Sequence, residues 1–128
     1  MSTLAVATVK SLSSAAPAFQ NSSGTVKGQL MNAWCHMNGQ GTIAINDSFN
    51  VSSLTDETTG TYKINFTNAF ANATYCGAGM HNRTSNGICC VGEDPTRGYT
   101  TGFATMRCTL DNALTDPSSC RFMFVGDS

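Results

Sequence analysis

The chain has 128 residues, of which 12% are charged, and its formal net charge is −1. That length suits one domain able to bury a core without metal or disulfide staples, and a charged fraction well under the roughly 25% usual for soluble domains leaves no field strong enough to hold nucleic acid or an anionic membrane. Ser, Thr, Asn and Gly clothe the surface instead, a composition that favours short strands and turns over helices.

Leu4, Val6, Thr8 and Val9 read as one short strand. Ser11 to Ala18, with Pro17, and then Asn21-Ser22-Ser23-Gly24 read as an irregular linker. Residues 1–26 are therefore expected to form an extended N-terminal arm and linker, and residues 27–128 a single β domain. The arm has too little apolar surface to fold alone. It is a candidate attachment segment, through Leu4, Val6 and Val9, that orders by adding to a neighbouring sheet. Lys10 follows the weak apolar run, the reverse of a secretory signal, and no stretch approaches the ~20 apolar residues of a membrane span, so no membrane insertion is expected.

Met31 to Tyr75 holds the only Trp and the clearest alternation. Trp34 lies in a run that ends at Asn38-Gly39-Gln40-Gly41, a glycine-rich step that predicts a hairpin. Ile43 and Ile45 then alternate with polar or small residues, and Tyr62, Ile64 and Phe66 do so again, the period-two pattern of half-buried strands. Asp56-Glu57-Thr58-Thr59-Gly60 between them reads as a second hairpin loop.

From Ala73 to Met80 a strand weakened by Gly77 and Gly79 is expected. The polar loop His81 to Gly87, a short strand Ile88-Cys89-Cys90-Val91 and the loop Gly92 to Gly98 follow. Tyr99 to Leu110 resumes alternation, Asp111-Asn112-Ala113-Leu114 reads as at most one helical turn, and Cys120, Phe122 and Phe124 share one face of a closing strand. Repeated short strands at these spacings predict an all-β fold, an antiparallel β-sandwich or open, jelly-roll-like barrel. Its expected core is Trp34, Ile43, Ile45, Phe49, Val51, Tyr62, Ile64, Phe66, Phe103, Phe122 and Phe124.

The six cysteines include no C-x-x-C pair, and neither Cys35-His36 nor Cys76 with His81 has the paired spacing of structural zinc. They read as reduced thiols serving as small hydrophobes, with a disulfide framework as the alternative. His36 and His81 lack a nucleophile setting, the carboxylates fall mainly in turns, and there is no phosphate-cradling or dinucleotide motif. The chain is expected to be non-enzymatic, without metal or other cofactor. His81, Asn82 and Arg83 in one loop, and Glu93, Asp94 and Arg97 in the next, are the candidate partner-binding residues, because loops on a rigid β scaffold vary without disturbing the core.

The order Asn32-Ala33-Trp34, Asn38-Gly39-Gln40-Gly41-Thr42, Ser48-Phe49-Asn50-Val51-Ser52-Ser53-Leu54-Thr55-Asp56, then Gly60-Thr61-Tyr62-Lys63-Ile64-Asn65-Phe66-Thr67-Asn68-Ala69-Phe70 up to Tyr75-Cys76 resembles a tail-fibre-like module of small structural proteins of tailed bacteriophages. The resemblance covers roughly Ala33 to Cys76, and Met1 to Val6 is similar to the N-terminal strand with which many such proteins begin. It implies a virion-surface protein made in the host cytoplasm, an adhesin in contact with portal, tail or capsid proteins and with a host surface glycan. Capsid decoration, cement or head-fibre duty is the alternative within the virion, and a free lectin-like carbohydrate-binding module the alternative outside it. It also implies a homotrimer. Leu30 and Trp34 on one parity and Met31, Cys35 and Met37 on the other give that expectation physical support, since one small sandwich cannot bury both faces.

Overall fold

The computed structural model describes residue 8 and residues 19–28, 30–82 and 86–126. The chain divides into two compact units, Met1–Leu30 and Met31–Ser128. In the first, β1 (Phe19–Gln20) and β2 (Val26–Gly28) form an antiparallel hairpin where the sequence reads as linker. Asn21 closes its turn, the side-chain oxygen accepting from the N–H groups of Ser23 (3.2 Å) and Thr25 (2.8 Å). Leu4, Val6 and Val9 lie outside the described residues.

The second unit contains β3 (Ala33–Asn38), β4 (Ala44–Phe49), β5 (Val51–Thr58), β6 (Thr61–Phe66), β7 (Cys76–His81), β8 (Cys89–Glu93), β9 (Phe103–Leu110), β10 (Ala113–Leu114) and β11 (Cys120–Val125). One antiparallel sheet has the order β4-β3-β11-β7. In the other, β9 pairs with β6, which pairs with β5. Met106 partners both Tyr62 and Glu93, so β8 holds the opposite edge of β9. Leu110 partners both Cys89 and Ala113, so β10 continues the edge occupied by β6. The two sheets pack into the expected all-β antiparallel sandwich. Consecutive strands pass from an edge of one sheet to an edge of the other twice, from β4 to β5 through Asn50 and from β7 to β8.

Side-chain alternation places the core between the sheets. Ala33, Cys35 and Met37 of β3 and Cys120, Phe122 and Phe124 of β11 face Tyr62, Ile64 and Phe66 of β6 and Ala104, Met106 and Cys108 of β9. One end is aromatic: the Phe66 and Phe124 rings meet edge-on at 5.2 Å, and Tyr75 stacks between Phe70 (4.1 Å) and Tyr99 (5.0 Å). The Tyr75 hydroxyl reaches the carbonyls of Thr100 (2.9 Å) and Phe103 (2.7 Å), fixing the loop before β7 onto β9. Towards the other end, the Cys108 and Cys120 sulfurs approach to 3.9 Å from opposite sheets.

Three local expectations are corrected. Trp34 is half-buried and Ile45 and Phe49 are exposed, whereas Ala33, Cys35 and Met37 fill the core. One parity of β3 is Ala33, Cys35 and Met37 and the other is Trp34, His36 and Asn38, and pairing with β11 aligns Cys35 with the inward Phe122, which sends Trp34 outwards. The polar run before Gly60 is mostly strand: β5 extends to Thr58, and only Thr59-Gly60 turns, with Gly60 at φ 66° and an added Cβ there falling 2.6 Å from the Cys108 carbonyl. Asp111 (φ 51°) and Asn112 (φ 67°) are not helical. They are the two central residues of a tight hairpin between β9 and β10, since positive φ at both matches the strand twist.

Candidate functional site

Strand register assembles a surface on the outer face of the β4-β3-β11-β7 sheet. Trp34 is the direct cross-strand partner of Phe49 on β4 and of Met123 on β11. Two residues along the same strand, His36 is the partner of Asp47 on β4 and of Arg121 on β11. Period two puts both sets on one face, so an apolar row, Phe49–Trp34–Met123, lies beside a polar row, Asp47–His36–Arg121. The rows line a groove of about 590 Å³ together with Met31. Phe49 is 55% exposed, Met31 43% and Met123 41%, an uncovered apolar patch of the kind that marks a contact surface.

The polar row is held in place without being neutralised. His36 Nε2 lies 3.1 Å from the Ser119 hydroxyl, which ties β3 to the start of β11. The Asp47 carboxylate accepts from the Ser48 N–H at 2.9 Å and makes no hydrogen bond to the imidazole among the described residues. Ser119 and His36 are thus a pair without the third group that orients a catalytic histidine. Nor do the described residues bring three or more His, Cys, Asp or Glu side chains together as a metal would require.

The loop residues singled out from sequence fall at opposite ends of β8. His81, the last residue of β7, is buried, its Nδ1 2.7 Å from the Asn82 carbonyl and its Nε2 2.9 Å from that of Thr109. Asn82 is exposed, and its side chain clasps the 118–119 backbone and hydroxyl, donating to Ser118 Oγ and accepting from the Ser119 N–H, both at 2.9 Å. Arg83 lies outside the described residues. At the other end, Asp94 is buried, and its Oδ1 accepts from the N–H groups of Thr96 (2.9 Å) and Arg97 (2.7 Å), folding the loop after β8. Arg97 bridges Asp94 and Glu57, Lys63 joins Glu57 at 2.8 Å, and Arg107 approaches Asp94 at 3.7 Å.

This network sets the two carboxylates apart from ordinary ones. The Lys63 hydrogen bond, aided by the Lys63 and Arg97 charges, holds Glu57 low against a smaller opposing effect of burial. For Asp94, burial pushes the carboxyl up, but the Arg97 and Thr96 amides and the two guanidinium charges outweigh it and leave it below its usual range. Glu93 remains exposed at the end of β8.

Sequence reading missed the outer-face groove because it assigned Trp34 and Phe49 to the core. The available signal was the parity of β3, where Trp34 stands with the polar His36 and Asn38 against Ala33, Cys35 and Met37. Fold and groove together define a β-sandwich with an uncovered, partly apolar groove on one outer face. No family model, curated protein or solved structure matches the chain. Among the described residues no helix is long and apolar enough to cross a membrane.

Proposed function

We propose that this chain is a non-enzymatic structural protein of a tailed-phage virion, displayed on the particle as a tail-fibre-like adhesin. The observation that carries the reading is the placement of Trp34. The tail-fibre-like segment from Ala33 to Cys76 supplies β3 to β6 of the sandwich, and its one Trp faces outwards in a groove where the core does not need it. The titratable groups elsewhere serve as fasteners: His81 spans two carbonyls, Asp94 caps a turn and Asp116 accepts from Tyr62 and Gly60. Host recognition in this reading uses the surface-facing members of the loops, Asn82, Glu93 and Arg97, and attachment to portal, tail or capsid proteins uses the N-terminal segment.

Quantitative mass spectrometry of purified particles, with antibody labelling imaged on intact virions, tests it. Copies at the tail in a number set by particle symmetry are expected. Labelling of the head in place of the tail establishes the decoration, cement or head-fibre alternative, and absence from purified particles refutes the virion reading. The aromatic groove with polar neighbours favours one reading of another class, a free lectin-like module. Saccharide binding by the purified protein together with absence from particles would establish that one.

A further inference from the structure

We propose that two copies of this chain pair face to face through the outer surface of the β4-β3-β11-β7 sheet, about a two-fold axis running along β3. The inference stands on the two rows and does not rest on the virion reading. Asp47 and Arg121 are both direct partners of His36, on opposite sides of it. Each therefore sits one strand spacing, about 4.8 Å, from β3, at the same height along the strand and with opposite charge. Among the described residues neither takes part in an ion pair. In the neighbouring row Phe49 and Met123 flank Trp34 in the same way.

A rotation of half a turn about an axis lying over β3 exchanges the positions of β4 and β11 while preserving height. It sets Asp47 against the partner's Arg121 twice, Phe49 against the partner's Met123 twice, and Trp34 and His36 against their own images. One patch is thereby complementary to itself in charge and in polarity, the requirement of an isologous contact. Aligned packing of two sheets accommodates it, since strands that meet this way stay within about 30° of parallel.

Other occupants fit less well. A half-turn about an axis across the strands lays the apolar row on the charged row when the axis lies between them, sets each charge against its own like image when it lies over the charged row, and leaves both charges without a partner when it lies over the apolar row. A ring of three needs a second, different surface complementary to this one, so the charges select a two-fold pairing over the threefold implied by the resemblance. A neutral sugar stacked on Trp34 would leave Phe49 and Met123 uncovered and both charges unmatched.

The full chain, examined by sedimentation velocity from sub-micromolar to tens of micromolar, is expected to form a dimer that weakens with salt. Asp47→Arg and Arg121→Glu each place like charges opposite one another and should raise the dissociation constant about 100-fold. Mixed in equal amounts, the two variants should dimerise again, because both arginines of one then face both carboxylates of the other. That rescue also shows that each variant is folded. The proposal is overturned by a wild-type monomer or trimer across this range, by a dimer that survives either substitution, or by a mixture of the variants that stays monomeric.

Discussion

Replacing Tyr62 by Phe removes one oxygen from a junction that fastens three loops at one end of the sandwich. Tyr62 is fully buried, and its hydroxyl donates to Asp116 Oδ1 at 2.8 Å, with the Gly39 carbonyl at 3.2 Å beside it. The same carboxylate oxygen accepts from the Gly60 N–H at 2.6 Å, and the Gly39 N–H donates to the Pro117 carbonyl at 2.9 Å. The β3–β4 turn, the β5–β6 turn and the segment before β11 thus meet at one carboxylate. Without the phenol, that charge keeps a single described donor, and a hydrogen bond to a charged group contributes about 1.5–3 kcal/mol. A unit of about 100 residues loses roughly 5 °C of melting temperature per kcal/mol, so Tyr62→Phe should melt about 7–15 °C below wild type. Calorimetry and urea denaturation with an unchanged slope are the assays. Asp116→Ala in the Tyr62→Phe background should cost less than in wild type by at least ~0.5 kcal/mol, since the two share one interaction. A Tyr62→Phe variant within ~0.5 kcal/mol of wild type, or strict additivity of the pair, would refute the reasoning.

Burial raises all three tyrosines, most plainly Tyr62 beside Asp116, and Tyr99 is pushed up to about 12. A phenol whose folded value lies above its unfolded value costs stability as pH rises past about 10, so phenolate absorbance should appear in one step together with unfolding; independent titration of any of the three in the native protein contradicts this. Glu57 and Asp94 have the opposite sign. Their lowered folded values contribute stability that is present above the ordinary carboxylate range, about pH 4, and lost as pH falls through the folded values. Urea midpoints should therefore drop at acid pH, and Asp94→Asn should shrink that drop; an acid limb unchanged by the substitution contradicts it. Among the thiols, Cys76 and Cys90 are exposed, while Cys35, pushed up to about 12 by burial, Cys108 and Cys120 are enclosed. Native alkylation followed by peptide mass analysis should label the first two and reach the other three only on unfolding.

Local pattern determined the strands whose two faces differ in chemistry. Tyr62, Ile64 and Phe66 alternate with Lys63 and Asn65, and Cys120, Phe122 and Phe124 share one parity against Arg121, so which side is inward follows from the residues alone; both sets are buried. Short strands bounded by glycine and polar turns likewise determined the all-β class. In β3 the aromatic Trp34 shares its parity with the polar His36 and Asn38 against Ala33, Cys35 and Met37, so period two shows which residues share a face while the bulk of one residue and the polarity of its neighbours point to opposite inward faces. Only the pairing of β3 with β11 and β4 settled that Ala33, Cys35 and Met37 enter the core while Trp34 faces out. The turn at Asp111-Asn112 was equally undecided, because Asp and Asn adopt positive φ as well as helical angles, and the strands on either side select the hairpin. The Tyr62–Asp116 bond spans 54 positions, and the Asp47–His36–Arg121 row gathers three strands. No local pattern encodes such neighbours, since long-range register sets them and depends on the whole sandwich closing around one core.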